Sequence, residues 1–458
     1  MRPKRNSNSS ITRIAMVIIV VVIVAVGGIA TYFTLNLNNN STANNTAKLQ
    51  DLVTTSWATY ERSTGYTSGT SGVALYITSP KGNYFVSTNM SGASPDIHFR
   101  IASNTKTFTA AAIMLLYQEG KLNIDDPITA NMPGKNIPYV PNSANYSIPY
   151  KNQITIRELL GHRAGVFDVA NDLIPQNATC PYAGQFYLAS TTNSTYISPH
   201  QYTLDELVGV NAQCHLSYFP PGTGYHYSNT GYTLLAKIIE DVSGMSYSQF
   251  VMHYLMAPNG LSSTSSPNLA SDTKLPAPFA SGYVLVNSSL VDVTEDDMSS
   301  RVAEGNVIST PRNLATWISN LITGKAGIEK NYVETMMNNC TSNPGNSAYG
   351  LGISYLSAVG YGHAGATAGY LSFMYYDPDN NVTLVMFTNL WISPNLSAVI
   401  GEIRALSTMA QQARSILGYS GPAAPSCMMS SINSLMTVVK FDYENSFPVM
   451  TSIRSSFI

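Results

Sequence analysis

Charge is what this sequence has least of. Lys, Arg, Asp and Glu make up 11% of its 458 residues, where about a quarter is usual. With 24 basic against 26 acidic residues the net charge is −2, so no basic field exists to grip a polyanion, and nucleic-acid binding is set aside. Tyr, Ser, Thr and Asn stand in for the missing charges. Such a surface suits an acidic medium, where protonated carboxylates would leave positive charge unbalanced. Cysteine is scarce too, with four residues and neither Cys-x-x-Cys nor His-Glu-x-x-His, which gives a zinc site little ground. His98, His200, His215, His226 and His253 fall in no ligand spacing, and no cofactor is expected. There is no internal repeat, so the length fits two or three domains or one large α/β enzyme with insertions.

Only one apolar run is long enough to cross a bilayer as a helix, Ile14 to Leu35. Arg2, Lys4, Arg5 and Arg13 precede it and no basic residue follows closely, an asymmetry that keeps residues 1–13 inside the cell and everything beyond Leu35 outside. The expectation is a single-pass anchor at 14–35, a polar linker at 36–47 and an extracellular body. A cleaved signal peptide is the alternative, although its apolar region is normally shorter and no clear Ala-x-Ala site follows. Sequons at Asn40, Asn145, Asn177, Asn193 and Asn381 would then be open to glycosylation. In such a location Cys180, Cys214, Cys340 and Cys427 point to one or two disulfides. Cys180 with Cys214 is the preferred pair, because both lie in one Tyr/Ser/Thr-rich insertion, but three pairings stay open.

Along the body, a helix-like segment leads into two strand-like runs, 72–79 and 82–88. Residues 104–119 are apolar on nearly all sides and stop at Gly120, the pattern of a buried helix with a glycine after its C-terminus. A loop-rich stretch follows to about 310, with helical pieces at 154–160 and 231–242. Strand character returns at 368–376 and 382–387, then a helix-like run covers 396–417. Strands at both ends with helices between predict an α/β (α+β) architecture, in which one sheet is closed by both ends and a helical subdomain is inserted. Residues 417–458 carry no recognisable function.

Ser103 and Lys106 stand three residues apart where the buried helix begins, so they share a face and the amine can take the hydroxyl proton. The helix start also aims free N–H groups at developing negative charge. Ser271-Asp272-Thr273-Lys274 repeats the spacing but runs into Leu-Pro-Ala-Pro, which forbids the helix. Tyr227-Ser228-Asn229 follows a Pro-Gly turn and precedes a helix. Tyr227 can shuttle a proton if a cation lowers its pKa, and Asn229 can hold a substrate amide. The repeats of that spacing at Tyr150 and Tyr443 lack the flanks. His363-Ala364-Gly365-Ala366 enters a strand, where glycine admits a substrate backbone to the edge. His162 is read as bracing a turn.

In this order, Ser-x-x-Lys, Tyr-x-Asn and His-x-Gly resemble the motifs of class C β-lactamases, streptomycete-type D-alanyl-D-alanine carboxypeptidases, D-aminopeptidases and related esterases. The resemblance spans about residues 48–416 and includes FRIASNTKTFTAAAIMLLYQEGKLNIDDPI, ITIRELLGHRAGV, AEGNVISTPRNLATWI and GYLSFMYYDPDNNVTLVMFTN. It implies a β-lactamase/transpeptidase-like fold, with an antiparallel sheet flanked by helices. It also implies Ser103 as nucleophile, Lys106 and Tyr227 as acid/base pair, and Asn229, His363 and Gly365 on the substrate side. The oxyanion hole would be the backbone N–H groups of Ser103 and Ala366. Which of Lys106 and Tyr227 takes the first proton stays open.

The family commonly splits at the third motif, with lysine in the β-lactamases and histidine in carboxypeptidases, aminopeptidases and esterases. His363 therefore points to a peptidase or esterase acting on a small peptide, ester or amide through an acyl-enzyme. A β-lactamase or penicillin-binding protein is the competing enzyme. An acylated sensor is the reading from another class, and thirteen residues before the span are too few for a signalling domain. An ordinary imidazole titrates near about 6.5, so His363 is expected to gain charge, and with it a preference for substrate carboxylates, as pH falls.

Overall fold

The computed structural model describes residues 42–64, 69–188, 200–286, 289–343, 347–392 and 396–429. The expected tail 1–13, the apolar run 14–35, most of the linker, the sequons at Asn40 and Asn193, and Tyr443 lie outside these residues. Among the described residues no helix is long and apolar enough to cross a membrane. Two compact units are distinguished, 1–49 and 50–458. In the first, residues 42–49 are helical, and the second opens with a helix over 50–64.

The strands of the second unit are, in chain order, β1 (Val73–Ser79), β2 (Gly82–Thr88), β3 (Phe99–Arg100), β4 (Tyr283–Val286), β5 (Ser289–Asp292), β6 (Ile308–Ser309), β7 (Thr341–Asn343), β8 (Ser347–Tyr349), β9 (Ser354–Leu356), β10 (Gly360–Thr367), β11 (Tyr370–Asp377), β12 (Val382–Thr388) and β13 (Leu390–Ile392). Eight of them form one sheet in the order β2-β1-β12-β11-β10-β9-β8-β7. Its pairings are antiparallel, and β1 from the start of the unit lies against β12 from its end, Val73 opposite Thr388. The sheet is therefore closed by both ends of the sequence, as the distribution of strand-like runs predicts.

β11 and β12 are buried along their whole length, which explains why both read as nearly continuous apolar runs. The helix Pro311–Ile322 packs on them, and Trp317 stacks on Phe108 of the helix Thr105–Gln118 with ring centroids 4.0 Å apart. That second helix is buried from Thr105 through Leu116, and Gly120 beyond it takes φ +67°, the left-handed conformation a helix end requires. The helices Ile156–Leu160, Leu204–Cys214 and Asn229–Ser243 fill the long insertion between β2 and the later strands.

The strand-like run expected at 368–376 starts two residues later. Ala368 and Gly369, the latter at φ +78°, form the turn between β10 and β11, and the residues around His363 are a full strand rather than the entrance to one. Cys180 pairs with Cys214, and Cys340 with Cys427. The second bond belongs to a segment that continues the packed body past residue 416: Tyr355 Oη donates to Pro422 O, and Ala423 N donates to Asp379 Oδ2. Asn145, Asn177 and Asn381 are exposed.

Candidate active site

Ser103 sits in a single turn of tighter helix, Ala102–Asn104, immediately before the helix Thr105–Gln118. Its predecessor Ala102 takes φ +47°, a left-handed conformation that costs an alanine on the order of 1–2 kcal/mol. The turn is held by Asn104, whose Nδ2 donates to Ile101 O at 3.0 Å and to Ser372 Oγ on β11 at 2.7 Å. Ser103 itself is half-buried, while Lys106 has no exposed surface. Of the two, only Ser103 reaches solvent.

Lys106 Nζ lies 3.2 Å from Ser103 Oγ, 2.6 Å from Asn229 Oδ1, 2.9 Å from Glu304 O and 3.4 Å from Glu304 Oε2. Burial lowers the lysine pKa from 10.5 to about 8, against the pull of Glu304 and Asp168. Tyr227 is also buried, with Lys106 Nζ 4.8 Å from its ring centroid. The cation thus faces the ring, and burial raises the phenol pKa well above 10 although the interaction with Ser103 opposes it. The condition on which the sequence has Tyr227 shuttle a proton, a pKa lowered by a cation, is not met here: desolvation raises it.

Tyr227 and Asn229 arrive together because Ser228 caps the helix Asn229–Ser243, its hydroxyl accepting from Gly231 N. Behind them, Ser228 N donates to His162 Nδ1 at 3.1 Å, and Asn229 N to Asp168 Oδ2 at 3.1 Å. His162 is buried at φ +55° with its ring 4.2 Å from that of Tyr227, so it braces the motif as expected. Asp168 is pushed up to about 7, chiefly by burial.

The third wall is β10. Gly365 faces the Ser103 turn so closely that a Cβ there would stand 2.3 Å from Ile101 O and 3.0 Å from Ser103 N, which is why glycine is required. Ala366 follows it, opposite Leu371 of β11. His363 is buried, its Nδ1 paired with Ala364 O and its Nε2 3.0 Å from Tyr349 Oη. A carbonyl only accepts, so Nδ1 carries the hydrogen and Nε2 accepts from the tyrosine. Burial, then the nearby Lys106 charge, lowers this histidine from 6.5 to about 3. The expected titration of His363 near neutrality is therefore corrected: the ring is a neutral, fully hydrogen-bonded group across the ordinary pH range.

The structure brings Ser103, Lys106, Tyr227, Asn229, His363 and Gly365 to one place from three segments. It separates the repeats of their spacing: residues 271–274 form an exposed loop, and Tyr150 is exposed with φ +56°. Glu304, Asp168 and Tyr349 were not singled out from sequence. Glu304 lies inside a family-like block, but its contact with Lys106 spans 198 positions, and spacing carries no sign of that. Among the described residues no group of His, Cys, Asp or Glu side chains is placed to hold a metal ion.

The chain is similar to several known proteins. A penicillin-binding protein of Bacillus subtilis (strain 168) is 29% identical over 308 residues, 64% of this chain and 60% of its own length; the match thus spans about three-fifths of that relative. Among solved structures, a D-stereospecific amidohydrolase from Streptomyces sp. aligns with a TM-score of 0.60 at 26% identity, over 75% of this chain and 94% of its own. The D-amino acid amidase of Ochrobactrum anthropi SV3 aligns with a TM-score of 0.60 at 25% identity, over 81% and 100%. The family model for Beta-lactamase matches residues 49–406, from the helix ahead of β1 to the helix that follows β13, and the chain belongs to that family of serine hydrolases.

Proposed function

We propose that this protein hydrolyses the amide bond of a small D-amino-acid amide or peptide through an acyl-enzyme on Ser103. The observation that carries the reading is the buried Lys106 amine 3.2 Å from the Ser103 hydroxyl, with Asn229 and Tyr227 converging on the same pair. Ser103 Oγ attacks the carbonyl carbon and loses its proton to the Lys106/Tyr227 pair. The backbone N–H groups of Ser103 and Ala366 receive the oxyanion, the amine leaves with a proton, and water releases the acyl group in a second round.

The neutral His363 supports a substrate without an obligatory free carboxylate, that is, an amide or ester rather than a carboxypeptidase substrate or a penicillin. The amidohydrolase and amidase among the similar structures agree with that choice. A second reading, penicillin binding with slow release, is favoured by the Bacillus relative. We further place the body outside the cell, tethered by residues 14–35, with 1–13 inside, 36–47 as linker and 48–416 as the hydrolase. The two disulfides support an oxidising location.

The test compares hydrolysis of D- and L-phenylalanine amide, the corresponding methyl esters and benzylpenicillin. Turnover of the D-amide above its L-isomer supports the proposal. Rapid penicillin turnover, or stable acylation by penicillin with no amide cleavage, would replace it with the second reading.

A further inference from the structure

Among the described residues Glu304 is the one carboxyl in direct contact with Lys106, and the function proposed above has not used it. Its side chain is 4% exposed, and the salt bridge to Lys106 measures 3.4 Å. The segment that carries it is bolted to the nucleophile helix on both sides. Thr109 Oγ1 donates to Ala303 O at 2.6 Å, and Val307 N donates to Thr105 Oγ1 at 3.2 Å. Asn306 adds a third anchor, accepting from Ala303 N and donating to Ser266 Oγ and Pro267 O. Ala303 is held at φ +70°, a left-handed turn that costs an alanine free energy and persists only where its surroundings fix it. So rigid a mounting of an acid against a catalytic amine calls for a reason.

We propose that Ser103, Lys106 and Glu304 act as a proton-transfer triad, in which Lys106 Nζ takes the serine proton and Glu304 orients and stabilises the ammonium that results. The hydrogen-bond inventory fits. A neutral amine has two N–H groups and one lone pair. Asn229 Oδ1 at 2.6 Å and Glu304 O at 2.9 Å take the two donors, leaving the lone pair for the Ser103 hydroxyl at 3.2 Å. On attack the serine O–H bond breaks as the Oγ–C and Nζ–H bonds form, and the carbonyl electron pair moves to the oxyanion. The new ammonium then lies beside a carboxylate rather than in an apolar wall. Tyr227 suits the opposite role, since burial keeps its phenol protonated: it can pass a proton to the leaving amine and recover one from Lys106.

Glu304 touches no reacting atom, so it is a positioning residue, and the inference rests on the acyl-enzyme reading of Ser103. The other titratable or charged groups around Lys106 are Asp168, Arg301, His162, His363, Tyr227 and Tyr232. Both histidines are held neutral, and Asp168 is engaged by Ala170 N, Asn171 and Asn229 N. Arg301 Nη1, 3.6 Å from Glu304 Oε1, lowers the lysine pKa where Glu304 raises it. The two variants Glu304→Gln and Arg301→Gln therefore push in opposite directions.

The experiment follows the second-order rate of Ser103 labelling by a fluorophosphonate between pH 5 and 10, which needs no knowledge of the natural substrate. In the wild type the rate should rise through the lysine titration, near about 8. Glu304→Gln should move that midpoint to lower pH by about one unit or more and cut the plateau about 10- to 100-fold, since the ammonium loses its counter-charge. Glu304→Asp should restore part of both. Arg301→Gln should move the midpoint upward, and it reports even if Glu304→Gln does not fold. Midpoints equal to wild type in either folded variant would overturn the triad while leaving the acyl-enzyme reading intact. Absence of wild-type labelling at Ser103 would remove that reading itself, and the triad with it.

Discussion

Replacing Glu402 by glutamine should stabilise the protein at pH 8 and change little at pH 4. This carboxyl is fully buried where the helix Leu396–Ile416 meets the sheet, with Thr388 Oγ1 donating to Oε1 at 2.6 Å and Tyr60 Oη to Oε2 at 3.2 Å. Those two bonds favour the charged form, yet burial overrides them and raises the pKa from 4.5 to about 8. Below pH 4.5 folded and unfolded chains both hold the proton, so pH has no leverage. Between 4.5 and 8 the unfolded chain ionises while the folded one does not, and stability falls by ~1.4 kcal/mol per pH unit. Over the gap of about 3.5 pH units the loss amounts to roughly 5 kcal/mol, an upper bound that relaxation around the charge reduces. Glutamine has no proton to lose and can still accept at its oxygen and donate to Tyr60. Urea midpoints at pH 4 and pH 8, at equal m-values, give the comparison. The wild type should lose much more stability across that range than Glu402→Gln. Parallel losses in the two proteins would refute the reasoning. Asp168, raised to about 7, and Asp296, raised to about 6, act with the same sign. Below about 6.5 the buried, neutral His363 acts with the opposite sign, because the unfolded chain takes up a proton that the folded one refuses.

Two further outcomes follow from the site. Because His363 is held neutral down to about 3, the kcat/KM ratio for a substrate with a free carboxylate over its amidated analogue should be flat between pH 5 and 8, and a ratio that climbs below about 6.5 would show a charged imidazole. Gly365→Ala, whose new methyl group would meet Ile101 O at 2.3 Å and Ser103 N at 3.0 Å, should displace the strand edge beside the nucleophile and cost about 100-fold or more in kcat; activity within threefold of wild type would mean that β10 does not shape the oxyanion site.

Local patterns made much of this legible. The buried helix after Ser103, its glycine end, the hairpin β1–β2 and the helix after Tyr227 each announce themselves through apolar spacing and caps, and the observed bounds lie within two residues of those expected. The order of the three motifs pointed to the constellation through the family resemblance it carries, and each motif sits at the start of or within a regular element that fixes its direction. What stayed hidden depends on burial and on contacts between distant segments. No spacing reveals that Glu304 meets Lys106, that Asp168 receives the backbone of Asn229, or that Tyr349 caps His363. The charge state of His363 stayed hidden for the same reason: an ordinary pKa assumes water, and this side chain lies out of it.

The most direct test of the account is to find where the acyl group resides. Acid quench during turnover of a slowly hydrolysed aryl ester, followed by intact mass and peptide mapping, should show one acyl group per chain on the peptide carrying Ser103. The adduct should vanish in Ser103→Ala and persist in Ser271→Ala. An adduct on any other residue, or undiminished turnover in Ser103→Ala, would contradict the assignment of Ser103 as nucleophile.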